Sequence, residues 1–113
     1  MHELSLCKGI LRALADDARA QGYQRVKTVR LEVGALSGIR IEALRLNFQA
    51  AARGTLADRA TLEVVEVPGA AWCARCEKTM AVAQRFDACP GCGGQSLQLT
   101  AGTEMRIQEL EVE

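Results

Sequence analysis

Four cysteines offer the clearest chemistry in the sequence. Cys73-Ala74-Arg75-Cys76 and Cys89-Pro90-Gly91-Cys92 form two C-x-x-C pairs with residues 77–88 between them. Two intervening residues let the chain curl so that both sulfurs face one ion, with backbone N–H groups directed at the thiolates. Gly91, Gly93 and Gly94 supply tight turns, and Pro90 stiffens the second pair. Four thiolates in a tetrahedron suit zinc and leave no open coordination position, so the site reads as structural. The surrounding stretch has little apolar material of its own, mainly Trp72, Met80, Val82, Phe86, Leu97 and Leu99. Metal binding would therefore supply much of its folding free energy, on the order of 10 kcal/mol for such sites.

Other occupants and uses fit the same spacing. Iron in a rubredoxin-like electron carrier also uses two such pairs, and colour separates the metals, an iron site being red and a zinc site colourless. A ribbon of this kind can also serve as a nucleic-acid or protein interaction module. Between Pro68 and Gly102, however, Arg75, Lys78 and Arg85 face Glu77 and Asp87, a net charge of only +1. That electrostatic footprint is too thin to favour nucleic acid. Trp72 and Phe86 are expected to pack beside the metal site rather than stack on bases. The fifth cysteine, Cys7, falls on an apolar helical stripe and is expected to be buried and inert.

A second constellation opens the chain. His2 is the only histidine, and Glu3 follows it. A terminal amine, the deprotonated amide of His2 and its imidazole Nδ1 can chelate one ion in a nearly planar set. Nickel(II) accepts such square-planar nitrogen donors, whereas structural zinc wants a tetrahedron. The amide or carboxylate of Glu3 would complete the plane. A site at a chain end suits transfer better than storage, and it needs a neutral imidazole, so affinity falls with pH.

The composition limits the alternatives. The chain has 113 residues, 49% hydrophobic and 25% charged, with fourteen basic residues balancing fourteen acidic ones. This length fits one domain, or one domain with a metal-stapled insert. A net charge of zero gives no global field towards nucleic acid or an anionic membrane. No stretch approaches the roughly 20 apolar residues that span a bilayer, and Met1-His2-Glu3 lacks the layout of a secretory signal. A cytoplasmic location is expected, where paired cysteines stay reduced and bind metal before they form disulfides. No base–nucleophile pair with a histidine to spare, no phosphate-binding glycine loop and no open metal site is visible, so no enzyme is expected.

The elements that must position these residues follow from periodicity. Leu4, Cys7, Leu11, Leu14 and Ala18 step by three and four, predicting a helix over 4–21 capped by Gly22. Val29, Leu31 and Val33 alternate with polar residues, predicting a strand over 26–33. A second helix is expected over 41–53, with Ile41, Leu44, Phe48 and Ala51 on one face and Gly54 ending it. A β-branched strand follows over 61–67, and alternation returns from Met105, slipping in phase near Glu109 as at a bulge or strand end. The expected fold is α+β: two helices packed on a three-stranded sheet, with an inserted four-cysteine zinc ribbon. Its domains would be 1–67 plus 103–113, and the ribbon over 68–102.

Met-His-Glu-Leu-Ser-Leu at the start, Val-Gly-Ala-Leu-Ser-Gly after the first strand, Glu42-Ala43-Leu44-Arg45, Gly54-Thr55-Leu56 and the two cysteine pairs together resemble the HypA/HybF family. The resemblance runs through the whole chain in order. It implies a nickel metallochaperone for maturation of nickel–iron hydrogenase. Transient Ni(II) would sit at His2 and Glu3, and structural Zn(II) at Cys73, Cys76, Cys89 and Cys92. The implied partners are a HypB-type GTPase and the hydrogenase large subunit, with the chain a monomer or weak homodimer and neither nucleic acid nor membrane involved. Two positions depart from the family pattern. Glu77 follows the first pair where many members have glycine, loosening the expected turn, and Arg40 stands where some members have an acidic nickel donor. Glu42 matches a helix-start position, where a carboxylate favours the helix dipole.

Overall fold

The structure is a computed structural model and describes residues 3–113. Its elements are α1 (Glu3–Gln21), β1 (Val26–Gly34), α2 (Ile41–Ala52), β2 (Thr61–Val67), β3 (Ala70–Cys73), β4 (Lys78–Ala81), β5 (Leu97–Ala101) and β6 (Met105–Val112). They form two three-stranded sheets, ordered β2-β1-β6 and β4-β3-β5. The first sheet and both helices match the expected α+β arrangement. The second sheet lies inside the cysteine-rich stretch, which the sequence had shown only as turns. Its strands are four or five residues long, too short for an alternating pattern to stand out.

The chain divides into two compact units. The first comprises the segments up to Leu31, Ile39–Val64 and Ile107–Glu113; the second comprises Glu32–Gly38 and Val65–Arg106.

In the first unit, the stripe of α1 buries Cys7, Ile10 and Leu14, and α2 buries Leu44, Phe48 and Ala52. The helices pack on each other. Val26, Val29 and Leu31 of β1 and Leu62 of β2 are buried as well. Each of the Leu, Ile, Val and Phe side chains among them contributes roughly 1.5–3 kcal/mol on leaving water. Gly22 ends α1 at φ +81°, donating its N–H to Ala18 O at 2.8 Å, as the capping reading required. After α2, the Thr55 hydroxyl donates to Ala52 O at 2.6 Å and accepts from the Ala57 N–H at 3.1 Å. Cys7 is fully buried and directs its sulfur at Leu44 O, 3.5 Å away. Burial first, then the Glu3 charge, pushes its thiol above the usual range, so it stays protonated and inert as expected.

In the second unit, Leu36, Ala71 and Val82 form a small core against which Leu97 and Leu99 pack. Three backbones meet beside it. Leu36 N donates to Gly102 O at 2.7 Å, Gly34 N to Glu104 O at 2.8 Å and Val82 N to Gly69 O at 3.1 Å. A Cβ on Gly34 would lie 2.1 Å from Gly102 O, and one on Gly69 would lie 2.5 Å from Val82 O. Gly102 adds a φ of +85° to equally close neighbours in Gly69 and Pro68. These glycines are required by main-chain contact rather than by loop flexibility.

Two expectations are corrected. β6 does not end near Glu109 but continues to Val112; the slip in phase itself is present, as the adjacent exposed residues Gln108 and Glu109. Phe86 does not pack beside the cysteines: it is 93% exposed, and Trp72 is 41% exposed. The packed apolar residues of this unit are instead Leu36, Ala71 and Val82, with Leu97 and Leu99 against them.

Candidate metal centre

The two C-x-x-C pairs converge on one point. β3 delivers Cys73 at its last residue, where Cys73 pairs with Lys78 of β4 across the first turn. That turn closes through the Glu77 N–H donating to Cys73 O at 2.8 Å. Glu77 makes it at φ +52°, in the left-handed region that glycine adopts freely. The looser turn anticipated there is thus closed, with backbone strain in place of glycine. The second pair is held by the Cys89 N–H donating to Gly94 O at 2.9 Å and the Gly93 N–H to Cys89 O at 2.8 Å, with Gly93 at φ +71°.

All four sulfurs lie within 4.8 Å of one another. Cys73 Sγ is 3.7 Å from Cys92 Sγ, and Cys76 Sγ is 3.9 Å from Cys89 Sγ. A tetrahedron with metal–sulfur bonds of about 2.3 Å has edges of about 3.8 Å, so a zinc-sized ion fits these spacings. Backbone N–H groups support the ring: Cys76 N lies 3.4 Å from Cys73 Sγ, and Gly91 N lies 3.3 Å from Cys89 Sγ. Cys73 and Cys89 are buried, Cys76 and Cys92 half-buried. Gly91 is tightly enclosed, since a Cβ there would approach the Met80 methyl to 2.7 Å and Cys76 Sγ to 3.2 Å. That role of Met80 carried no sequence signal.

The sulfurs differ electrostatically. Cys89 is lowered to about 7, first by the Cys92 backbone N–H; burial opposes this and the Gly91 N–H assists. Cys76 is pushed up to about 12, first by burial and then by hydrogen bonds with Cys73, Cys92 and Cys89. Four thiols this close cannot all ionise without a cation, and a divalent ion supplies the missing charge. The donor set therefore fits a soft, tetrahedral metal ion such as zinc.

Of the other expected site residues, His2 lies outside the described residues. Glu3 is the first residue of α1, and its Oε2 lies 3.4 Å from the Arg40 N–H. Arg40 is the residue before α2 and makes no side-chain cap of its own. The Glu3 carboxylate thus sits at the positive end of α2, where a negative charge is favoured. Glu3 and Arg40 lie far apart in sequence, and only the helix pairing brings them together.

The comparisons with known proteins agree. Residues 1–112 match a family model described as hydrogenase/urease nickel incorporation, metallochaperone, hypA. A protein named hydrogenase maturation factor HypA from Azotobacter chroococcum is 51% identical over 113 residues, covering all of both chains. A protein of the same name from Alkalilimnicola ehrlichii is 52% identical, again over the full length of both. The solution structure of the Ni metallochaperone HypA from Helicobacter pylori superposes with a TM-score of 0.74 at 21% identity, covering 99% of this chain and 97% of the other, which bears on the fold alone. An unbroken match of this length, together with a four-cysteine cluster compatible with zinc, makes the chain a member of the HypA family of nickel metallochaperones for hydrogenase and urease nickel incorporation.

Proposed function

We propose that the chain binds Ni(II) transiently at its Met-His-Glu start and delivers it for maturation of a nickel–iron hydrogenase. His2 supplies amide and imidazole nitrogens, and Glu3 supplies its amide or carboxylate. Cys73, Cys76, Cys89 and Cys92 hold a permanent Zn(II) that shapes the second unit and takes no part in catalysis. Functionally, residues 1–67 with 103–113 form the nickel-binding domain and 68–102 the zinc ribbon. A HypB-type GTPase and the hydrogenase large subunit are the partners in the cytoplasm. Among the described residues, no helix is long and apolar enough to cross a membrane.

The observation that supports this reading most is the family match, which begins at residue 1 and so includes the candidate nickel residues. The separation of roles is supported by chemistry: four sulfurs at tetrahedral spacing suit zinc, while planar nitrogen donors suit nickel. Replacing His2 with alanine is expected to abolish tight nickel binding while zinc content and thermal stability stay unchanged. Calorimetric nickel titration of untagged protein, with metal analysis alongside, measures both. Unchanged nickel affinity in the variant would refute the assignment.

A further inference from the structure

A cavity of about 560 Å³ opens where α2 ends, lined by Phe48, Gln49, Arg53, Ala57, Asp58 and Arg59 among others. It lies wholly within the first unit, and no metal ligand contributes to it. Arg53 and Arg59 line it, and neither side chain has a carboxylate or hydrogen-bond partner among the described residues. Arg19, Arg30 and Arg45 of the same unit are engaged with Asp16, with Glu63 and Glu109, and with Leu62 O, whereas Arg12 and Arg25, like Arg53 and Arg59, have no side-chain partner among the described residues. What sets Arg53 and Arg59 apart is that they line one cavity together. The one acidic group in the lining is committed: Asp58 Oδ2 accepts from the Gly54 N–H at 3.2 Å. The lining therefore carries two positive charges against one negative, a net of +1.

Arg53 alone has an ordinary explanation. It follows the last turn of α2, where a cation offsets the negative end of the helix. That does not account for Arg59, whose backbone is held at φ +65°. Glycine would occupy that position without strain. An arginine in that strained backbone conformation, lining a cavity with no side-chain partner, points to a ligand for the side chain.

We propose that this cavity binds a small organic phosphate ester, with the phosphate oxygens held by Arg53 and Arg59. Each guanidinium presents five donors in a planar fork that matches phosphate geometry. The volume falls in the range typical of small-molecule sites and far exceeds what bare phosphate fills. Ala52, Ala57 and Ala60 add some apolar lining, and Gln49 a neutral polar group, suited to the organic part.

The test uses the zinc-loaded full chain without nickel, titrated calorimetrically with ATP and separately with inorganic phosphate, and followed by amide NMR. ATP is expected to bind and to shift amides across residues 48–60, with inorganic phosphate at least tenfold weaker. Arg53→Ala and Arg59→Gly are each expected to weaken ATP roughly tenfold or more, since one hydrogen bond to a charged group is worth about that factor. Arg59→Lys is expected to fall in between, having charge without the fork. Arg59→Gly is also expected to melt higher than the parent, so its lost binding cannot be blamed on misfolding. No binding of either probe, binding unaffected by both arginine variants, or equal affinity for inorganic phosphate would overturn the proposal.

Discussion

The strained turn at Glu77 allows a quantitative test of how the ribbon holds its metal. A residue with a Cβ in the left-handed region costs roughly 1–2 kcal/mol relative to its relaxed backbone. Glu77 sits there at φ +52° because the turn must return the chain from Cys73 to Lys78 within the β3–β4 register. Glu77→Gly removes that strain, and the 2.8 Å bond from its N–H to Cys73 O persists because glycine keeps the donor. Against the gain stands the larger backbone entropy that glycine loses on folding, about 0.5–1 kcal/mol. On middle values, about 1.5 against about 0.75, the net gain is about 0.7 kcal/mol. Because ribbon folding and metal binding are linked, this appears as zinc affinity raised about two- to fivefold. Competition against a chromophoric chelator reads that ratio. Glu77→Gln separates backbone from charge: it removes a carboxylate near the thiolates but keeps the strain, so it should gain less than Glu77→Gly. Zinc held no more tightly in Glu77→Gly than in Glu77→Gln would refute the strain argument.

Two other outcomes follow from the described contacts. Gly102→Ala combines a Cβ 2.7 Å from Gly69 Cα with a φ of +85°, so crowding of roughly 1–3 kcal/mol adds to conformational strain; denaturant melts of this variant should show a large loss, whereas Gly9→Ala, with open space at its Cβ, should show none or a slight gain. Tyr23, the sole tyrosine, is raised to about 12 by burial first and then by its 2.7 Å hydrogen bond to Asp17. A raised folded value means that its stabilising contribution is complete below the unfolded value near 10 and is lost as pH climbs through about 12. Tyrosinate absorbance should show the late midpoint, and Asp17→Asn should bring it down; a midpoint near 10 in the parent protein would contradict the structure.

Much of the fold was legible because long elements repeat their pattern often enough to average out exceptions. The stripe from Leu4 to Ala18 survives Gly9, and the β-branched run at 61–67 was placed with its observed bounds. The ribbon was legible only as chemistry. Its strands are too short to show a period, and the core they cover includes Leu36, a residue far away in sequence. Phe86 was misplaced for the same reason: in a stretch with so few apolar residues, every one was expected inside. Instead Asp87 folds the loop on itself, accepting from the N–H groups of Ala83 and Gln84 at 3.2 and 3.0 Å, and Phe86 is left in solvent. The Glu3–Arg40 approach was illegible because it depends on how two helices pack, which no local pattern encodes.

Leu36 also decides what could be cut from this protein and still fold. Its side chain fills the small core beside Ala71 and Val82, and its carbonyl accepts from Arg85 Nε at 2.8 Å. A peptide spanning only 68–102 would keep all four metal-binding cysteines yet lack one wall of its interior and the acceptor for Arg85. Such a fragment would gather metal but leave Val82 facing water, and it would aggregate where the intact chain stays dispersed. A self-sufficient version has to bring residues 32–38 along, grafted as a separate strand or joined through a new loop.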